Sequence, residues 1–476
     1  MAIKHLRTEV LIIGAGPSGY SAAFRCADLG LQTYLVESKD LLGGVCLNEG
    51  CIPSKTLLDI SKLINQTKKM TQKGIFSQIP NLNINEVCNW KQKVVNKIAG
   101  GLAIMAKHRK VPVIQGRAEF INSHTITVQQ DSSILAKITF DNVIIATGSR
   151  PIDIPLSYQK DKRIWNSTTA LSVPFIPSKL LIIGGGIIGL EMATIYHSFG
   201  SQIDIIELYD QLIPGLDKDL IEFFTKIITN QFNLRLNTKV IDIKSQKDGI
   251  EVIIQGKNTS SESKLYDAVL IAIGRKPNTD LINLKAIGVE VNERGFIIVN
   301  EQMRSNVHHI YAIGDIVGQP MLAHKGMHEG HIAAEVIAGK KHYFDPHVIP
   351  YIAYTDPEIA WIGTSEKEAN LKKIKYEVGI YPWSASGRAM VSDNSNGITK
   401  LISNKSNNLI IGGGIVGHNC SEILGEIALA IEMQCNIEDI ALTIHAHPTL
   451  YESIGLSAQI MLGTVTDLLN KNKKHS

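Results

Sequence analysis

Residues 10–37 read VLIIGAGPSGYSAAFRCADLGLQTYLVE, and residues 180–207 repeat that design as LLIIGGGIIGLEMATIYHSFGSQIDIIE. In both segments a short apolar run, typical of a buried parallel strand, leads into a GxGxxG turn. A helical pattern follows and ends at a glycine, Gly30 or Gly200, before a second strand closes on a glutamate. Every landmark is displaced by 170 residues. The sequence therefore predicts two βαβ units of one design within an α/β fold.

The glycines of each turn and the glutamate after it have separate physical roles. The first glycine permits the tight turn, the second lets the backbone approach a pyrophosphate, and the third allows helix and strand to pack closely. The helix N-terminus offers N–H groups to phosphate, and the glutamate accepts hydrogen bonds from a ribose. A lone GxGxxG also marks ordinary turns, but an acid 23 residues after the first glycine, found twice, favours two Rossmann-like dinucleotide-binding domains. The residues are Gly14, Gly16, Gly19 and Glu37 in one unit and Gly184, Gly186, Gly189 and Glu207 in the other.

Composition excludes several classes of protein. The chain has 476 residues, of which 44% are hydrophobic and 20% charged, which fits a globular chain of several domains. Its formal net charge is only +3, and no basic run is long enough to follow phosphates, so we expect no nucleic-acid partner. No uninterrupted apolar stretch reaches the roughly 18 residues of a membrane helix, and the N-terminus shows no secretory signal pattern. We expect a cytoplasmic protein without a membrane partner.

A pair of cysteines stands next to the first unit, in GGVCLNEGCIPSK at residues 43–55. Five helical residues rise about 7.5 Å, beyond the roughly 7 Å limit between the Cα atoms of a disulfide. A bridge between Cys46 and Cys51 therefore requires a turn or a distorted helix start, which Gly50 and Pro53 permit. No second thiol pair completes a zinc site. A redox pair is favoured over two unpaired structural thiols, which remain the alternative.

Histidines supply a second candidate, in HAHPTLYE at residues 445–452. His447 precedes Glu452 by five residues, and a histidine oriented by a carboxylate is the usual general acid/base pair. Such a histidine is more often structural, but a dithiol requires a base to form its thiolate, which favours His447 here. His445 has no carboxylate at a comparable offset. The histidines at 324, 328 and 331 share a helix face, but they fail the zincin pattern, and we predict no metal.

Together these motifs resemble the pyridine nucleotide–disulfide oxidoreductases, and the resemblance covers essentially the whole chain. The ordered set also includes ATGSRP, AIGRKPN and YAIGDI, between the two units and after the second. The resemblance implies two Rossmann-like domains, a central domain, a C-terminal α+β dimerisation domain, and a homodimer with one non-covalent FAD per subunit. The expected ranges are 1–150 for FAD, 151–279 for NAD, 280–350 for the central domain completing the FAD site, and 351–476 for dimerisation. The Gly-rich run at residues 412–414 lacks a downstream acid, and we expect it to serve strand packing.

The same resemblance implies a role for each matching residue. Lys55 would sit beside the flavin and pair with Glu191, and Asp315 would bind the ribitol chain. The helix starting near Ala323 would point its positive end at the flavin edge, which favours the anionic reduced form. The implied FAD residues are Gly14, Gly16, Gly19, Glu37, Gly44, Lys55, Ala118, Asp315 and Ala323, and the implied NAD residues are Gly184, Gly186, Gly189, Glu207, Val240 and Gly274.

The resemblance is strongest to members that oxidise dihydrolipoamide with NAD⁺. It implies that His447 of one subunit takes a proton from the substrate, that Cys46 exchanges with it, and that Cys51 lies nearer the flavin. The implied partner is the lipoylated acyltransferase core of 2-oxo acid dehydrogenase complexes (pyruvate, 2-oxoglutarate), with the glycine cleavage system as a further place. Glu207 would repel the 2′-phosphate of NADP, and no arginine follows it. Mercuric and large thioredoxin reductases add C-terminal cysteines, whereas residues 470–476 read NKNKKHS. The rival is a non-catalytic flavoprotein, against which the cysteine pair and the His447–Glu452 pair both argue.

Overall fold

A computed structural model describes residues 3–131, 133–156, 158 and 160–469 of the chain, so the cysteine-free stretch 470–476 lies outside the described residues. The first unit forms a sheet of order β3-β2-β1-β6-β5-β4, in which β1 pairs in parallel with β2 and β6. Its elements are β1 (Lys4–Ile13), α1 (Pro17–Asp28), β2 (Thr33–Glu37), α2 (Gly44–Glu49), α3 (Cys51–Gln72), α4 (Ile84–His108), β3 (Val113–Gln115), β4 (Arg117–Asn122), β5 (Thr125–Gln130), β6 (Ser133–Ile145) and β7 (Ser149–Pro151).

The second unit repeats this construction around a parallel sheet of order β11-β10-β9-β15-β8. A three-stranded antiparallel sheet, β12-β13-β14, packs beside it, and β16 pairs with β7 at the crossing between the two units. Its elements are β8 (Ile164–Trp165), α5 (Ser167–Ser172), β9 (Lys179–Ile183), α6 (Ile187–Ser198), β10 (Gln202–Ile206), α7 (Lys218–Ile228), β11 (Asn233–Arg235), β12 (Thr238–Gln246), β13 (Gly249–Gly256), β14 (Glu262–Tyr266), β15 (Ala268–Ile271) and β16 (Arg275–Pro277).

Both GxGxxG turns depend on the absence of a side chain. Gly14 has φ +102° and Gly184 has φ +111°, which are left-handed conformations that favour glycine. A Cβ on either would collide with a carbonyl oxygen of the neighbouring strand exit, Ala146 or Ala272. The two predicted βαβ units are thus confirmed in backbone conformation as well as in strand order.

The stretch after the second unit returns to the first. β17 (Ile310–Ala312) pairs in parallel with β6, and apolar residues around 282–297 pack under β4 to β6. A 3₁₀ turn at Gly314–Ile316 leads to α8 (Ala323–Ile337), which packs along α1. Helix α8 begins at Ala323, the start that the sequence resemblance implies. Residues far apart in sequence therefore build one side of the first unit.

The C-terminal part is an antiparallel sheet of order β18-β19-β22-β21-β20 with helices packed on it. The expected α+β architecture is confirmed, and residues 412–414 lie within β22 as strand residues. Among the described residues, no helix is both long and apolar enough to cross a membrane. The elements are β18 (Tyr351–Ala353), β19 (Glu358–Gly363), α9 (Glu366–Leu371), β20 (Tyr376–Pro382), α10 (Gly387–Val391), β21 (Ile398–Asn404), β22 (Ile410–Gly417), α11 (Cys420–Glu432), α12 (Ile437–Leu442) and α13 (Glu452–Leu462).

Candidate active site

A continuous cavity of about 1250 Å³ joins the two units. Both glycine turns, both cysteines and the start of α8 line it. Within the described chain it therefore collects most of the residues that the sequence singled out. Those that line it are Gly14, Gly16, Glu37, Gly44, Cys46, Cys51, Lys55, Ala118, Gly184, Gly186, Glu191, Glu207, Val240, Gly274, Asp315 and Ala323.

The first cradle is closed by hydrogen bonds from its glutamate. Glu37 Oε2 accepts the N–H of Ala15 at 2.7 Å, and its other oxygen accepts the N–H of Lys39 at 2.9 Å. The carboxylate is thus fixed at the end of β2, where it faces the cavity. A Cβ on Gly44 would lie 2.6 Å from Gly16 Cα, so α2 approaches the turn as closely as backbone allows.

The second cradle repeats these bonds 170 residues later. Glu207 Oε2 accepts the N–H of Gly185 at 2.7 Å, and Oε1 accepts that of Tyr209 at 3.0 Å. The third glycine of each turn packs against the first, because a Cβ on Gly19 or Gly189 would collide with the carbonyl oxygen of Gly14 or Gly184. The geometry fits two nucleotides: each cradle leaves backbone N–H groups and a fixed carboxylate facing one cavity, with space that a side chain would fill.

The cysteine pair lies at a break between two helices. Helix α2 ends at Glu49 and α3 begins at Cys51, and Gly50 between them has φ −142° and ψ −109°. The distorted helix start that the spacing requires is therefore present. Both cysteines are thiols, and the Cys46 thiol donates a hydrogen bond to the Cys51 sulfur.

The charges around the pair distinguish the two sulfurs. The bond from Cys46 lowers the pKa of Cys51, and it outweighs burial, which raises that pKa. The Lys55 ammonium lowers the pKa of Cys51 further. The same hydrogen bond raises the pKa of Cys46. The pair thus holds its negative charge on Cys51.

Lys55 connects the two units through a buried carboxylate. Its Nζ lies 2.9 and 3.0 Å from the two oxygens of Glu191, whose side chain is 5% exposed on α6. Burial lowers the pKa of Lys55, but Glu191, Cys51 and Tyr354 together raise it by more. Tyr354, which sequence reasoning missed, covers the ammonium with its ring at 4.5 Å and donates its backbone N–H to Glu191 at 3.2 Å.

Asp315 has partners that no sequence pattern indicates. Ser149 Oγ donates to Asp315 Oδ2 at 2.5 Å, and Arg275 Nε donates to Ser149 Oγ at 2.7 Å. Ser149 lies in β7 and Arg275 in β16, the two strands that cross between the units. Asp315 is therefore linked through Ser149 to Arg275 in β16 of the second unit.

His447 and Glu452 form the expected pair, with His447 Nδ1 3.0 Å from Glu452 Oε2. The His447 side chain is 78% exposed, whereas that of Glu452 is 13% exposed. None of the residues that line the described cavity comes from 445–452. Within one chain, the pair is thus formed but stands away from the dithiol.

Two further histidines of the sequence motifs have structural partners. His445 Nε2 lies 2.7 Å from Glu426 Oε1, with the His445 side chain 7% exposed, and Glu426 raises the pKa of His445. Its carboxylate comes from α11, 19 residues away, so no local offset could have found it. His324 Nε2 lies 3.1 Å from the carbonyl oxygen of Pro350.

Comparison with known proteins agrees with this architecture. A family model described as pyridine nucleotide-disulphide oxidoreductase matches residues 8–330, and the dimerisation-domain model of that family matches residues 349–458. The dihydrolipoyl dehydrogenase of Vibrio cholerae is 58% identical over 471 residues, covering 99% of each chain. That of Haemophilus influenzae is 56% identical over 471 residues, covering 99% of this chain and 98% of the relative.

A solved structure shows the same fold. The HOCl-induced flavoprotein disulfide reductase RclA from Escherichia coli is 26% identical and has a TM-score of 0.84. The match covers 94% of this chain and 98% of that one. Both parts of the chain, the cavity-bearing part and the antiparallel sheet, thus have relatives of one kind. The chain belongs to the pyridine nucleotide-disulphide oxidoreductase family.

Proposed function

We propose that this protein is a dihydrolipoamide dehydrogenase, which oxidises dihydrolipoamide to lipoamide and reduces NAD⁺ to NADH. The observation that carries the proposal is a thiol pair, with its charge held on one sulfur, in a cavity shared by two nucleotide cradles. The enzyme uses FAD and NAD, as its family and its dihydrolipoyl dehydrogenase relatives do. FAD held by the first cradle would supply the redox chemistry that carries two electrons from the dithiol to NAD⁺ as hydride.

The cysteines carry the exchange with substrate. In the oxidised pair, a substrate thiolate attacks Cys46 Sγ, the Cys46–Cys51 bond breaks, and Cys51 leaves as the thiolate. The second substrate thiol then attacks the sulfur bound to Cys46, which releases lipoamide and leaves the two cysteines reduced. Two electrons have moved from substrate to protein. The lowered pKa of Cys51 suits its role as the leaving group.

The positive charge next to the reduced cysteine pair stabilises its thiolate form. Lys55 of α3, fixed by Glu191 of the second unit, stabilises the Cys51 thiolate. The nucleotide-binding residues proposed from the sequence keep their assignments, with Gly14, Gly16, Gly19, Glu37, Gly44, Ala118, Asp315 and Ala323 on FAD and Gly184, Gly186, Gly189, Glu207, Val240 and Gly274 on NAD. The domain boundaries at 150, 279 and 350 also remain proposals.

His447 acts as the base across a subunit interface in this proposal. The dimerisation domain supports a homodimer, and His447 is exposed on that domain while its Nδ1 is held by Glu452. Nε2 is then free to take the proton from a substrate thiol at the partner's dithiol. The acyltransferase core of a 2-oxo acid dehydrogenase complex as docking partner, and a cytoplasmic location, belong to the same proposal.

An anaerobic titration tests the reaction. Dihydrolipoamide should reduce the purified flavoprotein and, with NAD⁺ present, turn over to NADH, whereas oxidised glutathione with NADPH should give no turnover. Cys46→Ser removes the exchanging thiol and should abolish turnover without removing FAD. Turnover with glutathione, or undiminished turnover in the variant, contradicts the proposal.

The shared site has its own test. Cys46→Ser chains mixed with His447→Gln chains, after unfolding and reassociation, should give about half heterodimers. Each heterodimer has one intact site and one doubly damaged site, so activity should approach about a quarter of wild type. If one chain supplied both groups, every site would keep a lesion and no activity would return, although native mass spectrometry showed heterodimers.

A further inference from the structure

A buried ion pair in α8 has no part in the chemistry above. Lys325 and Glu329 lie one helical turn apart, with side chains 7% and 2% exposed, and Lys325 Nζ lies 2.6 Å from Glu329 Oε1. Burial raises the pKa of Glu329, while the Lys325 ammonium opposes that rise. Because desolvation of two charges offsets most of their attraction, such a pair is weak evidence for stability. The hydrogen bond of the second Glu329 oxygen indicates a different role for the ion pair.

Glu329 Oε2 accepts the backbone N–H of Gly314 at 2.7 Å, and Gly314 directly precedes Asp315. Gly314 has φ +76°, and a Cβ there would collide with the Ser18 hydroxyl of α1. The left-handed residue sets the direction in which the next side chain leaves the backbone. The Glu329 carboxylate therefore fixes the residue that aims Asp315.

Asp315 is the residue of this turn that faces the cavity. The described lining of the cavity includes Asp315 but neither Lys325 nor Glu329. Before the turn, Ile313 N–H donates to the carbonyl oxygen of Ile145 at 3.0 Å, which anchors the chain to β6. The turn itself is held by the carboxylate of Glu329 on Gly314, by Ser149 on Asp315, and by the Ile297 N–H, which donates to the carbonyl oxygen of Ile316 at 2.9 Å. Glu329 thus binds the residue that directly precedes Asp315, whose carboxylate is proposed to bind the ribitol chain.

We propose that Glu329 is a positioning residue of the flavin site, which holds the Gly314 N–H so that the Asp315 carboxylate faces the cofactor. Lys325 places a positive charge beside this buried carboxylate. The inference rests on the FAD assignment within the proposed function and is independent of which dithiol is the substrate.

Variants of the holoenzyme separate the acceptor from the charge. Glu329→Ala removes the acceptor, and we expect FAD release at least about tenfold faster than wild type, because the buried Gly314 N–H is left without its partner. Hydrogen exchange at the Gly314 amide should accelerate in the same variant. The double variant Lys325→Met/Glu329→Gln keeps a neutral acceptor without an unpaired cation, and we expect release within about threefold of wild type. His328→Gln, at an exposed position of the same helix, is the matched control.

The flavin midpoint potential distinguishes positioning from general weakening of the fold. When the carboxylate turns away, added electrons are disfavoured less, so the potential of Glu329→Ala should become more positive than that of the control. If Glu329→Ala does not fold, Lys325→Met/Glu329→Leu supplies a neutral pair without an acceptor, which must still release FAD faster than the Gln double variant. Equal FAD release from these two double variants, or an unchanged potential in a folded Glu329→Ala, overturns the proposal. Dihydrolipoamide turnover enters none of these readouts, so their failure leaves the proposed function standing.

Discussion

The two nucleotide cradles share their hydrogen bonds but differ in what covers them. Around the first turn, α2 brings Gly44 against Gly16, and α8 brings Gly330 to a distance at which a Cβ would lie 2.8 Å from the Ser18 carbonyl oxygen. Around the second turn, a Cβ on Gly186 would meet nothing within 4 Å. The second glycine of the motif thus packs against a neighbouring helix in the first unit and has open space beside it in the second. This difference suits a cofactor that stays bound in the first unit and a substrate that exchanges in the second.

The largest expected effect comes from breaking each turn in the same way. Gly14→Ala and Gly184→Ala both force a side chain into a left-handed residue, at about 1–2 kcal/mol, and onto a carbonyl oxygen. We expect Gly14→Ala to purify without FAD. Gly184→Ala should keep its FAD and lose at least about tenfold in kcat/KM for NAD⁺. Flavin absorbance and steady-state kinetics measure the two outcomes.

The matched control for both variants is Gly101→Ala. Gly101 lies in α4, where a Cβ would meet nothing within 4 Å, so alanine should leave both nucleotides unaffected. A yellow Gly14→Ala protein alongside a colourless Gly184→Ala protein would reverse the assignment of the cradles.

Much of this comparison was available from the sequence, because a βαβ turn is a local structure. The glycines, the glutamates and the break at Gly50 all follow from residues within about 25 positions of one another. The partners of the functional groups did not follow in that way. Ser149 meets Asp315 across 166 positions, and Tyr354 meets Glu191 across 163, with no periodic pattern to indicate either contact. Only the family resemblance suggested the Lys55–Glu191 pair.

A buried lysine, Lys400, anchors the second unit through contacts that the sequence did not indicate. Lys400 in β21 is 0% exposed, and its Nζ lies 3.1 Å from Asp217, 2.7 Å from Asp219 and close to Glu366. The two aspartates stand at the start of α7, so the cluster ties the second unit to the dimerisation domain. The first unit is stabilised instead by β17, which pairs with β6, and by α8, which packs along α1.

Lys400→Met leaves three carboxylates without their cation and should destabilise the protein by about 3–5 kcal/mol. Urea unfolding of the holoenzyme, followed by circular dichroism, measures this loss. Lys218→Met is the matched control, since its side chain is 83% exposed beside Glu222, and it should change stability by less than about 0.5 kcal/mol. A Lys400→Met protein as stable as the control would show that the cluster does not anchor the second unit.

The choice between NAD⁺ and NADP⁺ depends on the charge of the glutamate in the second cradle. Glu207→Gln keeps an acceptor for the N–H of Gly185 but removes the negative charge. That charge would strengthen a hydrogen bond from the ribose hydroxyl of NAD⁺ and repel the 2′-phosphate of NADP⁺. We expect kcat/KM for NAD⁺ to fall about 10- to 100-fold and the preference over NADP⁺ to narrow. Glu37→Gln, the matching change in the first unit, should leave that preference unchanged. Competition kinetics with both nucleotides would contradict this reading if the preference stayed the same.

The smallest expected effect lies where the two units meet, at Lys55. In a Cys46→Ser background, Cys51 is the remaining thiol of the pair, and the thiolate–flavin charge-transfer absorbance reports its ionisation. Since Lys55 lowers the pKa of Cys51, Lys55→Met should raise the pH midpoint of that absorbance by about one unit or more, leaving less thiolate below the midpoint. Lys69→Met, at an exposed position on the same helix, is the control and should leave the midpoint in place. A midpoint that moves equally in both variants would mean that Lys55 acts through general surface charge, because only a fixed neighbour can favour one sulfur over another.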